Sequence, residues 1–361
     1  MSGPGEPILA VDRLDVTFLG RRRHEKVRAV ADVSFAVRQG ETFGVIGESG
    51  CGKSTLGRAI VCLTRPSAGR ILHSGQDPFR LSARALRRHR RGFQIVFQDP
   101  NAALDPRMTI LDSVREPLDV GSIGTSTERR RTALAMLDRV ALSQELALRY
   151  PHELSGGQKQ RANIARALVL RPRLIVCDES VAALDVSIQA DMLNLFMDLQ
   201  REFGLTYVFI SHDLRVVAHI SDRVAVMYAG KLAELAPAEA LMQRPLHPYA
   251  QALLSAEPEP RVPVAGEKRR IVLKGEIPSP LAPPPGCRFH TRCPIAKPEC
   301  ASREPEWREF EPGRFVACHY AGTRLAGSMG SAQTVLDGAL AGPADGSVPR
   351  LQSIRKGGDQ Q

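Results

Sequence analysis

TFGVIGESGCGKSTLGRAIVCL, residues 42–63, decides the fold. Residues 42–46 are a short apolar run of the kind that forms a buried strand. It runs straight into GESGCGKS (47–54), which matches the spacing G-x-x-x-x-G-K-[ST]. A helix is expected from Lys53 to about Leu63. Glycines let consecutive backbone N–H groups turn inward and form an anion nest. The helix N-terminus adds its positive dipole end. A phosphate fits such a cradle, with Lys53 reaching the β- and γ-phosphates and the Ser54 hydroxyl placed on Mg²⁺.

LIVCD (174–178) and TYVFIS (206–211) read as two more buried strands. Each is followed by a helical pattern, over 187–203 and 214–221. Strand–helix alternation predicts a mainly parallel sheet with helices on its faces. Upstream, residues 8–47 alternate apolar and polar positions and read as antiparallel strands. The stretch 99–170 has helical spacing and few strand signals, so it is expected to be a helical subdomain inserted into the α/β core. Residues 264–320 are Pro-rich, and 321–361 are poor in large apolar residues and expected to be disordered. The expected division is 8–245 for an ATPase domain, 246–320 for a C-terminal extension and 321–361 for a tail.

The first strand after the helical stretch ends in two acids, Asp178 and Glu179. If its strand lay next to that of residues 42–46, Asp178 would reach the Mg²⁺ held by Ser54. Glu179 would then point at a water beside the γ-phosphate.

Composition bounds the rest. The chain has 361 residues, which suggests about two domains. Apolar residues are 43% and charged residues 24%, enough to bury a core. Lys plus Arg number 49 against 39 acids, and the net charge of +10 suits an anionic partner such as nucleotide, nucleic acid or a lipid surface. Aromatics are only 5%, and the Arg runs at 21–23, 87–91 and 129–131 lack interleaved aromatics, which argues against a nucleic-acid stacking surface. Those runs read as solvated faces, or as attraction to an anionic leaflet. No apolar run is long enough to span a membrane, and no signal-peptide pattern opens the chain, so a cytoplasmic globular protein is expected.

Seven cysteines fall into two groups: Cys51, Cys62 and Cys177 are scattered, whereas Cys287, Cys293, Cys300 and Cys318 crowd together. Their spacing, C-x₅-C-x₆-C-x₁₇-C, is not the paired C-x₂-C of common zinc sites. Four thiolates suit either a [4Fe–4S] cluster or tetrahedral Zn²⁺. His290 and His319 are alternative ligands, and four unliganded thiols are the plainer reading.

LSGGQ (154–158), lying between the phosphate loop and the acidic strand, resembles the signature of ATP-binding-cassette (ABC) ATPases. The other elements follow in that family's order: Gln98 in FQIVFQDP, Asp185 in AALDV and His212 in FISHD. The resemblance implies an α/β P-loop NTPase cassette with an antiparallel β subdomain, an inserted helical subdomain and a Cys-rich C-terminal extension. It implies ATP as substrate with Mg²⁺, held by Gly47, Ser49, Gly50, Cys51, Gly52, Lys53, Ser54 and Thr55. Ser54, Gln98 and Asp178 would serve Mg²⁺. Glu179 would be the general base, with His212 and Gln98 orienting or sensing the γ-phosphate, water and Mg²⁺ beside Lys53. Two such domains would dimerise head to tail, so that Ser155, Gly156, Gly157, Gln158 and Asp185 meet the nucleotide of a partner copy. Phe18, near the end of the first strand, is the best match for the adenine-stacking aromatic, with Phe35 and Phe43 as competitors. Two departures stand out: Ser180 follows the catalytic Glu where many relatives have Pro, and Ala182 stands where many have Ser in the Asp185 motif.

QDPNAALDPRMTI (98–110), YPHELSGGQKQR (150–161), HPYAQALLSAEPEP (247–260) and GEIPSPLAPPPGCRFHTRCP (275–294) narrow the resemblance to ATPase subunits of oligopeptide and dipeptide importers. That group implies peptide import at the cytoplasmic face of the inner membrane. Its partners would be two permease subunits, a second ATPase subunit (a paralogue or an identical copy) and an extracytoplasmic peptide-binding protein. It favours the iron–sulfur cluster over zinc and no nucleic acid. The competing function is a soluble ABC ATPase acting on nucleic acid or the ribosome. Against it, the chain has no long coiled coil between its motifs and only one cassette.

Overall fold

The computed structural model describes residues 6–20, 25–181, 185–256 and 271–325. The Arg21–Arg23 run, Ala182 and the tail from 326 lie outside the described residues. Two sheets form the frame. The smaller holds β1 (Leu9–Leu19) between β2 (Lys26–Val37) and the later β4 (Ala68–His73), all antiparallel. Alternation along β1 and β2 turns one face inward, as the 8–47 pattern predicts.

The larger sheet starts with β3 (Thr42–Ile46), which feeds the glycine loop and then α1 (Lys53–Ile60). The helix α2 (Ala83–His89) leads to β5 (Phe93–Val96), and a run of helices follows: α3 (Pro100–Ala103), α4 (Ile110–Val120), α5 (Ser126–Arg139), α6 (Gln144–Ala147) and α7 (Gly156–Leu168). That is the helical insertion expected over 99–170. The chain re-enters the sheet at β6 (Leu174–Asp178), crosses α8 (Val186–Phe203) to β7 (Thr206–Ser211), and crosses α9 (Leu214–Ile220) to β8 (Arg223–Tyr228). All residues of β3, β6 and β7 are buried, as continuous apolar strands in a two-faced parallel sheet must be.

Three features were not anticipated. First, β3 and β6 are not neighbours: β7 lies between them, in the order β8-β3-β7-β6-β5. Second, β8 turns into an antiparallel β9 (Lys231–Pro237), followed by α10 (Ala238–Gln243) and α11 (Pro248–Ala256). Third, the Pro-rich stretch is not all coil. After α12 (Pro298–Ser302), the hairpin β10 (Arg308–Glu311) and β11 (Arg314–Val316) pairs with β9 and lengthens the main sheet to eight strands. Short strands such as RFV carry too few residues for a periodic signal, and neighbours supply the pairing. The described chain continues to Leu325, whose N–H donates to Gln251 Oε1 at 2.9 Å.

The described Arg runs, 87–91 and 129–131, are only partly solvated. Arg90 donates to the Cys62 carbonyl and Arg91 to the Gly121 carbonyl. Arg129 pairs with Asp119 at 3.1 Å. Arg129 ties α5 to α4, and Arg90 and Arg91 bond carbonyls just past the ends of α1 and α4.

Two buried histidines give the fold an acid limit. The His73 ring stacks on Phe93 with centroids 3.7 Å apart, and its Nδ1 lies 2.8 Å from His89 Nε2. Burial, and then the neighbouring His89, lower its pKa from the ordinary 6.5 to about 3. His247 accepts the Tyr249 N–H at Nδ1 and burial lowers its pKa likewise to about 3. Both are therefore neutral in the fold, while the unfolded chain protonates them below 6.5. Their stabilisation is complete above pH 6.5 and falls as pH drops from 6.5 towards 3, by about 1.4 kcal/mol per unit for each ring. The melting temperature should decline through this window, and His73→Phe should narrow its gap to wild type as pH falls. A gap that stays constant from pH 7 to 4 would contradict the neutral assignment.

Candidate functional site

The ends of three parallel strands build the site. Ile46 of β3 is in register with Ser211 of β7, and Ile210 of β7 with Asp178 of β6. The glycine loop, His212 and Glu179 therefore leave the sheet at one edge, outside the carboxyl ends of the strands, where α/β sheets place their ligands.

The loop's shape demands glycine at two points. Gly47 has φ +155°, and a Cβ there would sit 2.1 Å from the Met227 carbonyl oxygen. Gly52, at φ +106°, would bring a Cβ to 2.1 Å from the Ala29 carbonyl oxygen. The loop is thus pressed against β8 and β2 by its own backbone. Ser49 and Gly50 form its exposed crest, Cys51 is buried below, and Thr55 is half-buried on α1. Lys53 is 4% exposed and donates from Nζ to the carbonyls of Gly47 (2.7 Å) and Glu48 (3.1 Å).

Ser54 Oγ donates to Asp178 Oδ1 at 2.8 Å. The adjacency of strands expected for this contact is replaced by a different route: α1 carries Ser54 across the end of β7. Burial raises the pKa of Asp178, and the Ser54 hydroxyl opposes the shift. A buried carboxylate beside a hydroxyl is an oxygen-only donor pair of the type that suits Mg²⁺. Glu179 follows with φ +48°, its N–H held by the Ile210 carbonyl at 2.9 Å. A non-glycine residue in this region costs of order 1–3 kcal/mol. Its carboxylate lies 3.6 Å from His212 Nδ1, beyond hydrogen-bond distance. His212 itself is exposed. Ser180, the departure after Glu179, is buried.

Gln98 is exposed just past β5. The segment after it is tied to α7: Lys159 donates to Asn101 Oδ1 at 2.9 Å, and Arg166 to the Ala103 carbonyl at 2.7 Å. Ser155 caps α7, with Gln158 closing a reciprocal capping box. Ser155 and Gly156 face solvent, whereas Gly157 is buried with Ile188 of α8 against it. Asp185 stands exposed before α8. Phe18 is 44% exposed near the end of β1, while Phe35 and Phe43 are buried and stacked 4.7 Å apart. Only Phe18 of the three is open to a base.

Cys287, Cys293, Cys300 and Cys318 come into mutual electrostatic reach, and Cys287 N–H bonds to the Cys300 carbonyl. Burial raises Cys293 to about 11 and Cys318 to about 12. Among the described residues, no three His, Cys, Asp or Glu side chains stand close enough together to hold a metal ion. His290 Nδ1 instead meets the Cys287 carbonyl, and His319 Nε2 the Arg303 carbonyl.

A family model described as ABC transporter matches residues 30–182, and one described as the oligopeptide/dipeptide transporter C-terminal region matches 233–300. The chain is 54% identical over 302 residues to the oligopeptide transport ATP-binding protein AppF of Bacillus subtilis, covering 83% of this chain and 92% of that protein. The chain belongs to the oligopeptide/dipeptide ABC transporter ATP-binding family. It is also 48% identical to the putative oligopeptide transport ATP-binding protein YkfD of the same organism, covering 87% and 95% of the two chains. A dimeric post-hydrolysis structure of the ATP-binding cassette MJ0796 with ADP and Pi superposes at TM-score 0.57, with 30% identity over 64% of this chain and 98% of that one. Membership of this family makes the chain an ABC-type ATPase, and among the described residues no helix is long and apolar enough to cross a membrane.

Motifs alone do not point to three further residues. Glu48 is one of the unspecified positions of the glycine motif, yet its N–H donates to Tyr249 Oη at 2.9 Å. Its carboxylate takes two bonds from Arg292, at 2.6 and 3.0 Å. Tyr249 and Arg292 lie about 200 or more residues downstream. Nothing in local pattern could pair them, although both fall in the phrases HPY and CRFHTRCP that mark the family.

Proposed function

We propose that this chain binds and hydrolyses ATP to energise import of peptides through a membrane ABC transporter. The observation that carries the reading is the convergence of Lys53, Ser54, Asp178, Glu179 and His212 at one sheet edge. The peptide assignment rests on the similarity to AppF and on the oligopeptide/dipeptide C-terminal region.

In this reading the loop N–H groups and Lys53 bind the phosphates, and Lys53 exchanges its two carbonyl contacts for phosphate oxygens. Ser54 and Asp178 would hold Mg²⁺, which neutralises charge on the phosphates. Glu179 takes the proton of the attacking water, its direction set by the strained backbone and the Ile210 carbonyl. His212 orients the γ-phosphate and the water from the exposed side. Phe18 offers its face to adenine. Ser155, Gly157 and the N-terminus of the 13-residue helix α7 form a second anion cradle. The exposure of Ser155 and Gly156 supports a head-to-tail dimer in which a second subunit supplies the nucleotide loop. Asn101 and Ala103, just after Gln98, are bonded to α7, so a signal at the γ-phosphate would travel through this segment to a permease docked beside it. The extracytoplasmic receptor and two permeases complete the assembly, with this subunit at the cytoplasmic face of the inner membrane.

The four C-terminal cysteines are proposed ligands of an iron–sulfur cluster, with zinc as the other metal. Support comes from four thiols gathered in one small lobe. Among the described residues they do not stand close enough together to hold an ion, so metal loading would have to draw them together.

Glu179→Gln should keep ATP affinity and lose turnover about 10²- to 10⁴-fold, measured by equilibrium binding and phosphate release. Steady hydrolysis at the wild-type rate would exclude Glu179 as the base. The transport reading is tested by gentle solubilisation of native membranes and mass spectrometry of what copurifies with the tagged protein. Two polytopic permeases are expected. Recovery only from the soluble fraction with ribosomal or DNA-repair proteins would keep the ATPase chemistry and reject transport. Anaerobically purified protein should contain iron and acid-labile sulfide, both lost in Cys293→Ser. Stoichiometric zinc without iron would reverse the choice of metal.

A further inference from the structure

Two described residues of the C-terminal extension, Tyr249 and Arg292, bond Glu48 of the nucleotide loop. Arg292 presents both terminal nitrogens to the two carboxylate oxygens of Glu48, at 2.6 and 3.0 Å. This is the parallel fork that a guanidinium makes and an ammonium cannot. The Arg292 side chain is 8% exposed. Its position is set by its own backbone, whose N–H bonds to the Phe289 carbonyl, and by the Tyr228 ring beneath the guanidinium at 5.9 Å. The second contact is backbone to side chain: Glu48 N–H donates to the hydroxyl of Tyr249, a fully buried residue. Tyr249 packs against Tyr228 and Phe289 with centroids 4.6 and 5.4 Å away.

Glu48 in turn sets Lys53. Two carbonyls hold Nζ, those of Gly47 and Glu48, and the first belongs to the same peptide unit as the N–H that Tyr249 holds. Side chain, N–H and carbonyl of one loop residue are all engaged, two of them by residues over 200 positions away. We propose that Arg292 and Tyr249 are positioning residues that clamp Glu48 and so hold the phosphate loop in the shape that aims Lys53. The extension thereby controls nucleotide affinity from outside the cassette motifs. Neither residue touches the phosphates; both act through Glu48.

This rests on the loop being the ATP site, and the test separates the two claims. Full-length protein is titrated with a fluorescent ATP analogue, and steady-state hydrolysis and thermal melting are measured in parallel. Arg292→Ala should weaken nucleotide binding and raise KM about tenfold, with kcat within about twofold, the size expected of coupling without ligand contact. Arg292→Lys, which keeps charge but not the fork, should recover part of the affinity. Glu48→Gln should reproduce the loss, and adding it to Arg292→Ala should cost almost nothing more. Glu48→Gln leaves the extension untouched, so it remains decisive should Arg292→Ala unfold. Unchanged affinity in Glu48→Gln, or fully additive losses in the double variant, would overturn the clamp while leaving the ATP reading intact. A wild-type protein that binds no nucleotide would overturn both.

Discussion

Lys53 donates to two carbonyl oxygens in a site that leaves it 4% exposed. A buried ammonium held by neutral dipoles is far less well served than one in water or beside an anion. The arrangement favours whatever anion enters the loop, and the surroundings serve to keep the lysine there. The loop must turn its carbonyls towards Nζ, which requires the backbone of Gly47 and Gly52. It must also lie against the carbonyls of Met227 and Ala29, which leave no space for a Cβ. Strand order follows from the same need. With β7 between β3 and β6, the ends of three strands deliver the loop, His212 and the two acids to one edge.

The two acids are treated differently by their surroundings, and that divides their chemistry. Asp178 is the last residue of a buried strand and is bonded to Ser54. Its burial makes its charge costly until a cation arrives. Glu179, one residue on, is turned by a positive φ out of the strand direction. The strain is sustained by a strand-type bond to Ile210, so the reversal is part of the sheet and not of a mobile loop. Adjacent carboxylates therefore point at different tasks because one backbone angle changes sign between them.

Much of this was legible in sequence. The run 42–63, the strands at 174–178 and 206–211, and the helical insertion all lie where pattern put them, because each combines a strong apolar period with nearby punctuation. What escaped notice were relations of pairing. No local signal says that β7 separates β3 from β6, since both orders satisfy the same right-handed crossovers. Nor does a three-residue strand such as Arg314–Val316 announce itself; it exists because β9 offers an edge. Glu48 was unreadable for the same reason. Its motif position tolerates any side chain in principle, and its importance comes from partners far along the chain.

How the extension keeps those partners in place is a question of register. Apolar packing of Phe289, Trp307 and Phe315 is non-directional and would tolerate small slips. Glu234 does not. It is fully buried on β9, and its carboxylate accepts the N–H groups of Leu246 and His247, with Arg314 of β11 at 3.4 Å. Burial raises its pKa, and the two N–H bonds and the guanidinium hold the charged form against that penalty. A buried pair of this kind gains little net stability. It does, however, penalise every arrangement in which the carboxylate loses its partners. Fixing Leu246 and His247 fixes where α11 begins, and so where the hydroxyl of Tyr249 meets the loop. Arg314 ties the β11 strand to the same carboxylate, which sets the hairpin on the sheet edge. One carboxylate thus aligns both the helix that reaches Glu48 and the strand that closes the lobe. The extension is held to the cassette by a point of reference, and the nucleotide loop inherits its precision from that point.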